Sequence, residues 1–190
     1  MPLLQWEDLQ KGPTRSSQES EGDIRLILTT SRRPATKSRK LCMELQCVIP
    51  SSVYVLRGKK SIRELISLSV EKGADRILIV TSYKYEPRFL VVYSEWDYLG
   101  KISGTFILRR ELNIPKMAPV EGDVPFLLRS SQNDAGTIAR LFGVQLCDNV
   151  CADHTFMTYT NGFIDFYRLD VSDQYVGPRI QVEAVHEGHH

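Results

Sequence analysis

One stretch of the chain occurs twice. Asp23-Ile24-Arg25-Leu26-Ile27-Leu28-Thr29-Thr30-Ser31 aligns without gaps with Asp123-Val124-Pro125-Phe126-Leu127-Leu128-Arg129-Ser130-Ser131, one hundred residues later. A short continuous apolar run such as Leu26-Ile27-Leu28 marks a strand buried on both faces, as in a sheet covered by helices. Each copy is followed by a helix-period segment and later by a hairpin. Chance likeness between two short buried strands remains the alternative, but it does not account for the shared order of elements. The expectation is an α/β fold of two tandem lobes with a related strand-helix-hairpin plan. The first, basic lobe spans 23–115 and the second, acidic lobe 116–185, between a mobile tail (1–22) that Trp6 and Leu9 could pin and a disordered tail (186–190).

Local signals fill in each lobe. In the first, a strand over Ile24–Thr30 leads through Ser31-Arg32-Arg33 to Pro34, a residue suited to the first helical position. The helix runs to Val48, with Leu41, Leu45 and Val48 on one face, and Pro50 stops it. Ser52–Leu56 is the next strand. Ser61 and Glu64 form a capping box, opening a helix that buries Ile62, Leu65, Ile66 and Val70 and ends at Gly73. Arg76–Thr81 is a central strand that turns through Lys84–Pro87 into Phe89–Tyr93, and Thr105–Arg109 is the lobe's last strand. The second lobe reads as a helix over Asp134–Phe142 closed by Gly143. A hairpin of Thr155–Thr160 and Phe163–Leu169 follows, with Asn161-Gly162 as a type I′ turn, and then a strand over Arg179–Val185. No counterpart of the 52–72 strand-helix unit is legible in it.

The formal net charge of +1 conceals an asymmetry. Residues 25–63 carry ten basic groups against Glu44 alone, whereas residues 111–190 carry five basic and eleven acidic groups. Concentrated positive charge in a neutral chain is the footprint of a polyanion partner, though a solvated surface or pairing with the acidic half would also produce it. Arg32 and Arg33 stand at a strand-to-helix turn, where free backbone N–H groups and the positive end of the helix dipole form a natural phosphate seat. Lys37, Arg39 and Lys40 follow within a turn and a half. Arg57, Lys59, Lys60 and Arg63 cluster at the corresponding turn before the second helix. Turns at the carboxyl ends of neighbouring parallel strands share an edge, so the two clusters are expected to form one patch for nucleic-acid phosphates. Tyr54, Tyr83 and Tyr85 are candidates for stacking on bases, Tyr54 being more at home in the core. An acidic protein surface is the other partner that such a patch fits.

The signals for other chemistries fail on inspection. No run reaches the roughly 18 apolar residues of a membrane span, and Met1–Gly22 lacks the features of a signal peptide. Cys42, Cys47, Cys147 and Cys151 are too sparse for a secreted disulfide framework and lack a second clip at zinc-like spacing, so buried thiols are expected. A disulfide stays open for a hyperthermophile. His186-Glu187-Gly188-His189-His190 satisfies H-E-x-x-H, but it occupies the last five residues after a strand, where a frayed end cannot hold catalytic zinc geometry. A metal-dependent hydrolase is thus a remote reading. Gly58-Lys59-Lys60-Ser61 lacks the first glycine of a phosphate loop. Gly100-Lys101-Ile102-Ser103-Gly104 has its serine one place too late for a nucleophile elbow. His154 reads as structural. No catalytic residue, metal ligand or cofactor is expected.

A family resemblance enters on ordered motifs. These are Thr29-Thr30-Ser31-Arg32-Arg33-Pro34, Arg39-Lys40-Leu41, Glu44-Leu45, Pro50, Arg57-Gly58, Glu64-Leu65 and Asp75-Arg76-Ile77-Leu78-Ile79-Val80. Arg109-Arg110-Glu111-Leu112 with Ile114, Thr155-Phe156, Asn161, Ile164-Asp165-Phe166-Tyr167-Arg168 and Val176-Gly177-Pro178-Arg179 continue them. Together they resemble the Brix-domain proteins of ribosome biogenesis over residues 23 to 185, in a short archaeal form closest to the small-subunit-processome branch. The resemblance implies two halves, each similar to the anticodon-binding domain of class II aminoacyl-tRNA synthetases. It implies a non-catalytic, monomeric, cytoplasmic factor that binds pre-ribosomal RNA during rRNA folding, processing and assembly, with other assembly proteins as further partners. A protein-interaction scaffold within the same particles is the alternative. On this reading the RNA contacts are Arg32, Arg33, Lys37, Arg39, Lys40, Arg57, Lys59, Lys60, Arg63 and Arg179. Tyr85-Glu86-Pro87-Arg88 and Glu95-Trp96-Asp97-Tyr98 depart from family segments that are richer in glycine.

Overall fold

The structure is a computed structural model and describes residues 25–120, 124–147, 155–168 and 174–188. The N-terminal tail, Asp23 and Ile24, as well as Asp123, Cys151, His154, Leu169, His189 and His190, lie outside the described residues, whereas His186 and Glu187 of the expected C-terminal tail belong to a strand. Among the described residues, three helices and ten strands form a mixed α/β architecture around one continuous sheet. In chain order these are β1 (Leu26–Thr30), α1 (Thr36–Gln46), β2 (Ser52–Tyr54), α2 (Ile62–Glu71), β3 (Arg76–Tyr83), β4 (Glu86–Ser94) and β5 (Asp97–Ile107). A 3-10 turn at Arg109–Leu112 leads on to β6 (Phe126–Arg129), α3 (Ala135–Phe142), β7 (Gln145–Cys147), β8 (Thr155–Thr160), β9 (Phe163–Arg168) and β10 (Gln174–Glu187).

Across the sheet the order is β2-β1-β3-β4-β5-β10-β9-β8-β6-β7. From the β2 edge inward the pairings are parallel, parallel, antiparallel, antiparallel, and from the β7 edge inward the same sequence recurs. The two series meet where β5 and β10 pair antiparallel. β7 corrects the sequence reading: a strand stands beside β6 as β2 stands beside β1. It has only three residues, with Gln145 and Leu146 exposed, so it carries neither the apolar run nor the alternation that marks a strand in sequence.

The period-2 alternation of β1 decides where the helices go. Leu26 and Leu28 face α1, whose Leu41, Cys42 and Leu45 are fully buried against them. Ile27 faces the other way and joins Leu65 and Ile66 of α2 with Ile77 and Ile79 of β3. The α1 side is a core shared along the whole sheet, since Ile138 and Leu141 of α3 with Met157, Ile164 and Phe166 belong to it as well. The α2 side is a smaller cluster confined to β1–β4.

Several boundaries differ from expectation for visible reasons. α1 begins at Thr36, after an extended Ala35 (ψ 154°), so Pro34 precedes the cap instead of opening the helix. The capping box of α2 is present, but Val70 is 62% exposed and Ser69 takes the buried slot, its hydroxyl donating to the Ile66 carbonyl at 2.8 Å. β5 starts at Asp97, eight residues before the expected Thr105. Its glycines disguised it, and they are there because β10 comes close: a Cβ on Gly104 would lie 2.1 Å from the Gln181 carbonyl oxygen, and one on Gly100 2.3 Å from that of His186. β5 ends at Ile107, so Arg109 belongs to the 3-10 turn. β10 extends at both ends, from Gln174 and on past Val185, with His186 opposite Lys101 and Glu187 opposite Gly100. Among the described residues no helix is long and apolar enough to cross a membrane.

Candidate nucleic-acid interface

β1, β2 and β3 run parallel, so the segments leaving their carboxyl ends gather along one edge of the sheet. These are 31–35, 55–60 and the turn at Lys84-Tyr85. The gathering is fastened by backbone bonds: Ser31 N–H donates to the Val80 carbonyl at 2.9 Å and Val55 N–H to that of Leu28 at 2.9 Å. Arg57, 9% exposed, ties two segments together. Its Nε donates to the Lys60 carbonyl at 3.1 Å and its Nη1 to the Thr30 carbonyl at 3.4 Å. Burial lowers the Arg57 pKa, and the Arg32 guanidinium nearby lowers it further. Glu64 feels both Arg32 and Lys60. The turns after β1 and β2 therefore share one electrostatic environment, with Arg32, Arg33, Lys59 and Lys60 exposed around the buried Arg57.

The helix termini at this edge differ. Ala35 offers no side-chain cap to α1, and its first turn contains no acidic residue. The positive end of that helix is thus left to an outside anion beside Arg32 and Arg33. At α2 the seat is taken: the Glu64 Oε2 accepts from both the Ser61 N–H and the Ser61 hydroxyl at 2.7 Å. Those two hydrogen bonds hold the Glu64 carboxyl below its ordinary pKa.

The remaining sequence candidates disperse. Arg39 and Lys40 are exposed on α1 and Arg63 on α2, on opposite faces of the sheet, so they flank the rim from two sides. Lys37 lies 3.0 Å from both Glu86 and Glu111. Burial pulls its pKa down, but those two carboxylates outweigh it and leave it raised. Arg179 belongs to β10, where it forms a two-point bond to Asp165, Nε to Oδ1 at 2.7 Å and Nη2 to Oδ2 at 2.9 Å.

Of the aromatic candidates, Tyr54 is half-buried against the α1-side core, whereas Tyr83 and Tyr85 are 60% and 88% exposed at the rim. Lys84, not singled out in the sequence, adds a cation 5.4 Å from the centre of the Tyr83 ring. Its position could have been read from the hairpin, since the turn leaving β3 must fall on the same edge as the turns leaving β1 and β2. Cys42 is buried, its thiol donating to the Thr29 carbonyl and pushed up in pKa by burial. Cys47 is half-buried, its thiol donating to the Met43 carbonyl at 3.2 Å, and Cys147 is half-buried as well. His186 and Glu187 sit on β10, and Glu187 accepts from the Thr137 hydroxyl at 2.7 Å and pairs with Arg140. Neighbouring residues on a strand point to opposite faces, which is not the helical one-face geometry that H-E-x-x-H requires.

No family model matches the chain. A protein from Pyrococcus horikoshii, described as a probable Brix domain-containing ribosomal biogenesis protein, is 30% identical, with 83% of each chain covered. A protein of the same description from Pyrococcus furiosus is 31% identical over the same shares. Among solved structures, a probable ribosomal biogenesis protein from Aeropyrum pernix superposes with a TM-score of 0.69 at 22% identity, covering 83% of this chain and 94% of that one. Mil, an archaeal Imp4-like protein, gives 0.66 at 17% identity, with 86% and 99% covered. These two likenesses show a shared fold. The relatives agree with the motif order: the chain belongs to the family of Brix domain-containing ribosomal biogenesis proteins.

Proposed function

We propose that this protein is a non-catalytic assembly factor that binds pre-ribosomal RNA through the edge formed by the turns after β1, β2 and β3. The observation that carries the reading is the convergence of Arg32, Arg33, Lys59 and Lys60 around the buried Arg57, next to an uncapped helix N-terminus. Phosphates are the ligand such an edge suits: arginine gives bidentate contacts, lysine point charges, and the helix end free N–H groups. Exposed Tyr83 and Tyr85 supply rings for an unpaired base at the same place. Names borne by the relatives point to ribosome assembly as the setting, and the lack of a membrane-spanning helix among the described residues fits a cytoplasmic factor. The recurrent pairing order supports two tandem lobes of one plan, which the sequence resemblance likens to synthetase anticodon-binding domains.

The test is RNA affinity as a function of salt. The pair Arg32→Ala with Arg33→Ala, and separately Lys59→Ala with Lys60→Ala, is expected to weaken binding of structured ribosomal RNA fragments with no change in thermal midpoint. The slope of log affinity against log salt should become shallower by about one for each phosphate contact removed. Unchanged affinity and slope in both double variants would remove this edge as the interface.

A further inference from the structure

Among the described residues no helix lies on the α2-side face of β6, β8, β9 and β10, and that face is not an ordinary solvated one. Alternate residues Phe163, Asp165 and Tyr167 of β9 point onto it, opposite Thr160, Thr158 and Phe156 of β8. Asp165 is 8% exposed and held at two points by Arg179. The Arg179 guanidinium also lies 5.0 Å from the centre of the Phe163 ring and 5.2 Å from that of Tyr175. Hydrogen bonding to Asp165 is the main reason its pKa is raised. Around this pair opens a cavity of about 700 Å3, lined by both residues together with Arg129, Thr158, Phe163 and Tyr167. That volume falls in the range of ligand clefts, roughly 300–1,000 Å3.

We infer that this cavity is a second RNA site, one that takes a single unpaired nucleotide. The inference rests on the RNA-binding reading above but concerns a different half of the molecule. Three features point to a nucleotide. Two half-exposed rings of β9, Phe163 and Tyr167, line the cavity; Arg179 covers one face of the first and Phe156 one face of the second, which leaves the outer faces for stacking, and any base satisfies that. Arg129, exposed at the end of β6, sits at the cavity wall where a phosphate would be held. Asp165 is acceptor-only, and a carboxylate has about four lone-pair positions, of which Arg179 engages two and the Tyr175 hydroxyl approaches a third. A base carrying an exocyclic amino group can donate to what remains, whereas uracil's one edge donor, N3–H, is flanked by carbonyl oxygens on both sides. Cytosine, adenine and guanine therefore fit better than uracil. The first half has no such site, because α2 covers the corresponding face of β1, β3 and β4 with an apolar cluster.

The experiment uses the full chain and labelled hexamers of cytidine, adenosine and uridine. Cytidine and adenosine hexamers should bind roughly tenfold tighter than uridine, and Asp165→Asn, which adds an amide donor in the same shape, should abolish that preference. Photocrosslinking of unaltered protein with a 5-iodocytidine hexamer tests the location without any variant. Adducts are expected within residues 155–168 or 174–181. Adducts confined to residues 31–63 and 83–85 would overturn this site while leaving the RNA-binding reading in place. Equal affinity for all three hexamers would overturn the assigned role of Asp165. Absence of binding to hexamers and structured fragments alike would overturn both readings.

Discussion

The two ends of the sheet share a pairing order and treat their second face differently. At the β2 end that face is apolar and sealed by α2, through Ile27, Leu65, Ile66, Ile77 and Ile79. At the β7 end the same face carries an arginine–aspartate pair between aromatic rings. Both ends contribute to one core on the opposite side, under α1 and α3. Stability can therefore be drawn from the common core, while each second face is free to take a different task. One supports the helix that frames the cationic edge, and the other is left for ligands.

The sharpest break comes from the core itself. Phe166 is fully buried and lies between Phe126 and Phe142, with ring centroids 6.5 Å away on each side. Phe166→Ala should cost about 3–5 kcal/mol and lower the urea midpoint for the whole chain. Leu65→Ala, at the fully buried anchor of α2, should cost about 2–5 kcal/mol. Its damage should concentrate locally, seen as faster amide exchange in α2 than in α3. If both variants loosen both helices equally, the two faces do not divide the work as described.

The seam is the next point of attack. β5 and β10 approach so closely at Gly104 that a methyl group would meet the Gln181 carbonyl. Gly104→Ala should destabilise by about 1–3 kcal/mol, read as a lower urea midpoint. An uncoupling of the two halves would show as a second unfolding transition. At Gly162 an added Cβ would meet nothing closer than the Val182 carbonyl oxygen at 3.8 Å, so a side chain there is penalised by its φ of 79° and not by the crowding found at Gly104.

A third comparison sets the two hairpin turns against each other. The turn between β8 and β9 uses Asn161 and Gly162, with φ of 52° and 79°, the residue pair that such a turn favours. The turn between β3 and β4 adopts the same sign of φ with Lys84 at 48° and Tyr85 at 70°. A side chain in that left-handed region costs roughly 1 kcal/mol or more, and Tyr85 recovers little of it by packing, being 88% exposed. Tyr85→Gly should then raise stability by about 1 kcal/mol, checked by thermal melting, while weakening RNA binding. A variant that gains stability and binds RNA unchanged would show that the ring has no role at the edge.

What the sequence disclosed follows from which interactions are local. β1, α1, α2, β3 and the Asn161-Gly162 turn announce themselves through apolar period, a capping box and turn residues, all within a few positions of one another. β7 and the first half of β5 do not. Their identity as strands depends on partners far along the chain: Gly100 and Gly104 make sense only once β10 is beside them. The candidate edge was legible in the same measure. Parallel β1 and β2 imply that Arg32 and Lys60 share an edge, and they do. The capture of Lys37 by Glu86 and Glu111, and of Arg179 by Asp165, needed pairings across distant segments, which neither the charge count that singled out Lys37 nor the motif that singled out Arg179 carries.

The smallest expected effect distinguishes the two helix ends at the cationic edge. Glu64 closes the start of α2, and its pKa is lowered chiefly by the hydrogen bonds from the backbone N–H and hydroxyl of Ser61. A carboxyl whose folded pKa lies below its unfolded value stabilises the fold above the unfolded pKa, near 4.3 for glutamate. That contribution is lost as pH falls through the folded value. Acidification below about pH 4 should therefore loosen the first turn of α2 directly, whereas at α1, which has no capping carboxylate of its own, it acts only through the pairs of Lys37 with Glu86 and Glu111. Glu64→Gln should flatten this part of the stability–pH curve and change stability little at neutral pH, because the amide oxygen still accepts from the Ser61 N–H. Amide exchange at residues 61–64, followed from pH 6 to pH 3, reads the difference directly. Equal loosening of both first turns would mean that the capping box does not set the acid response of this edge.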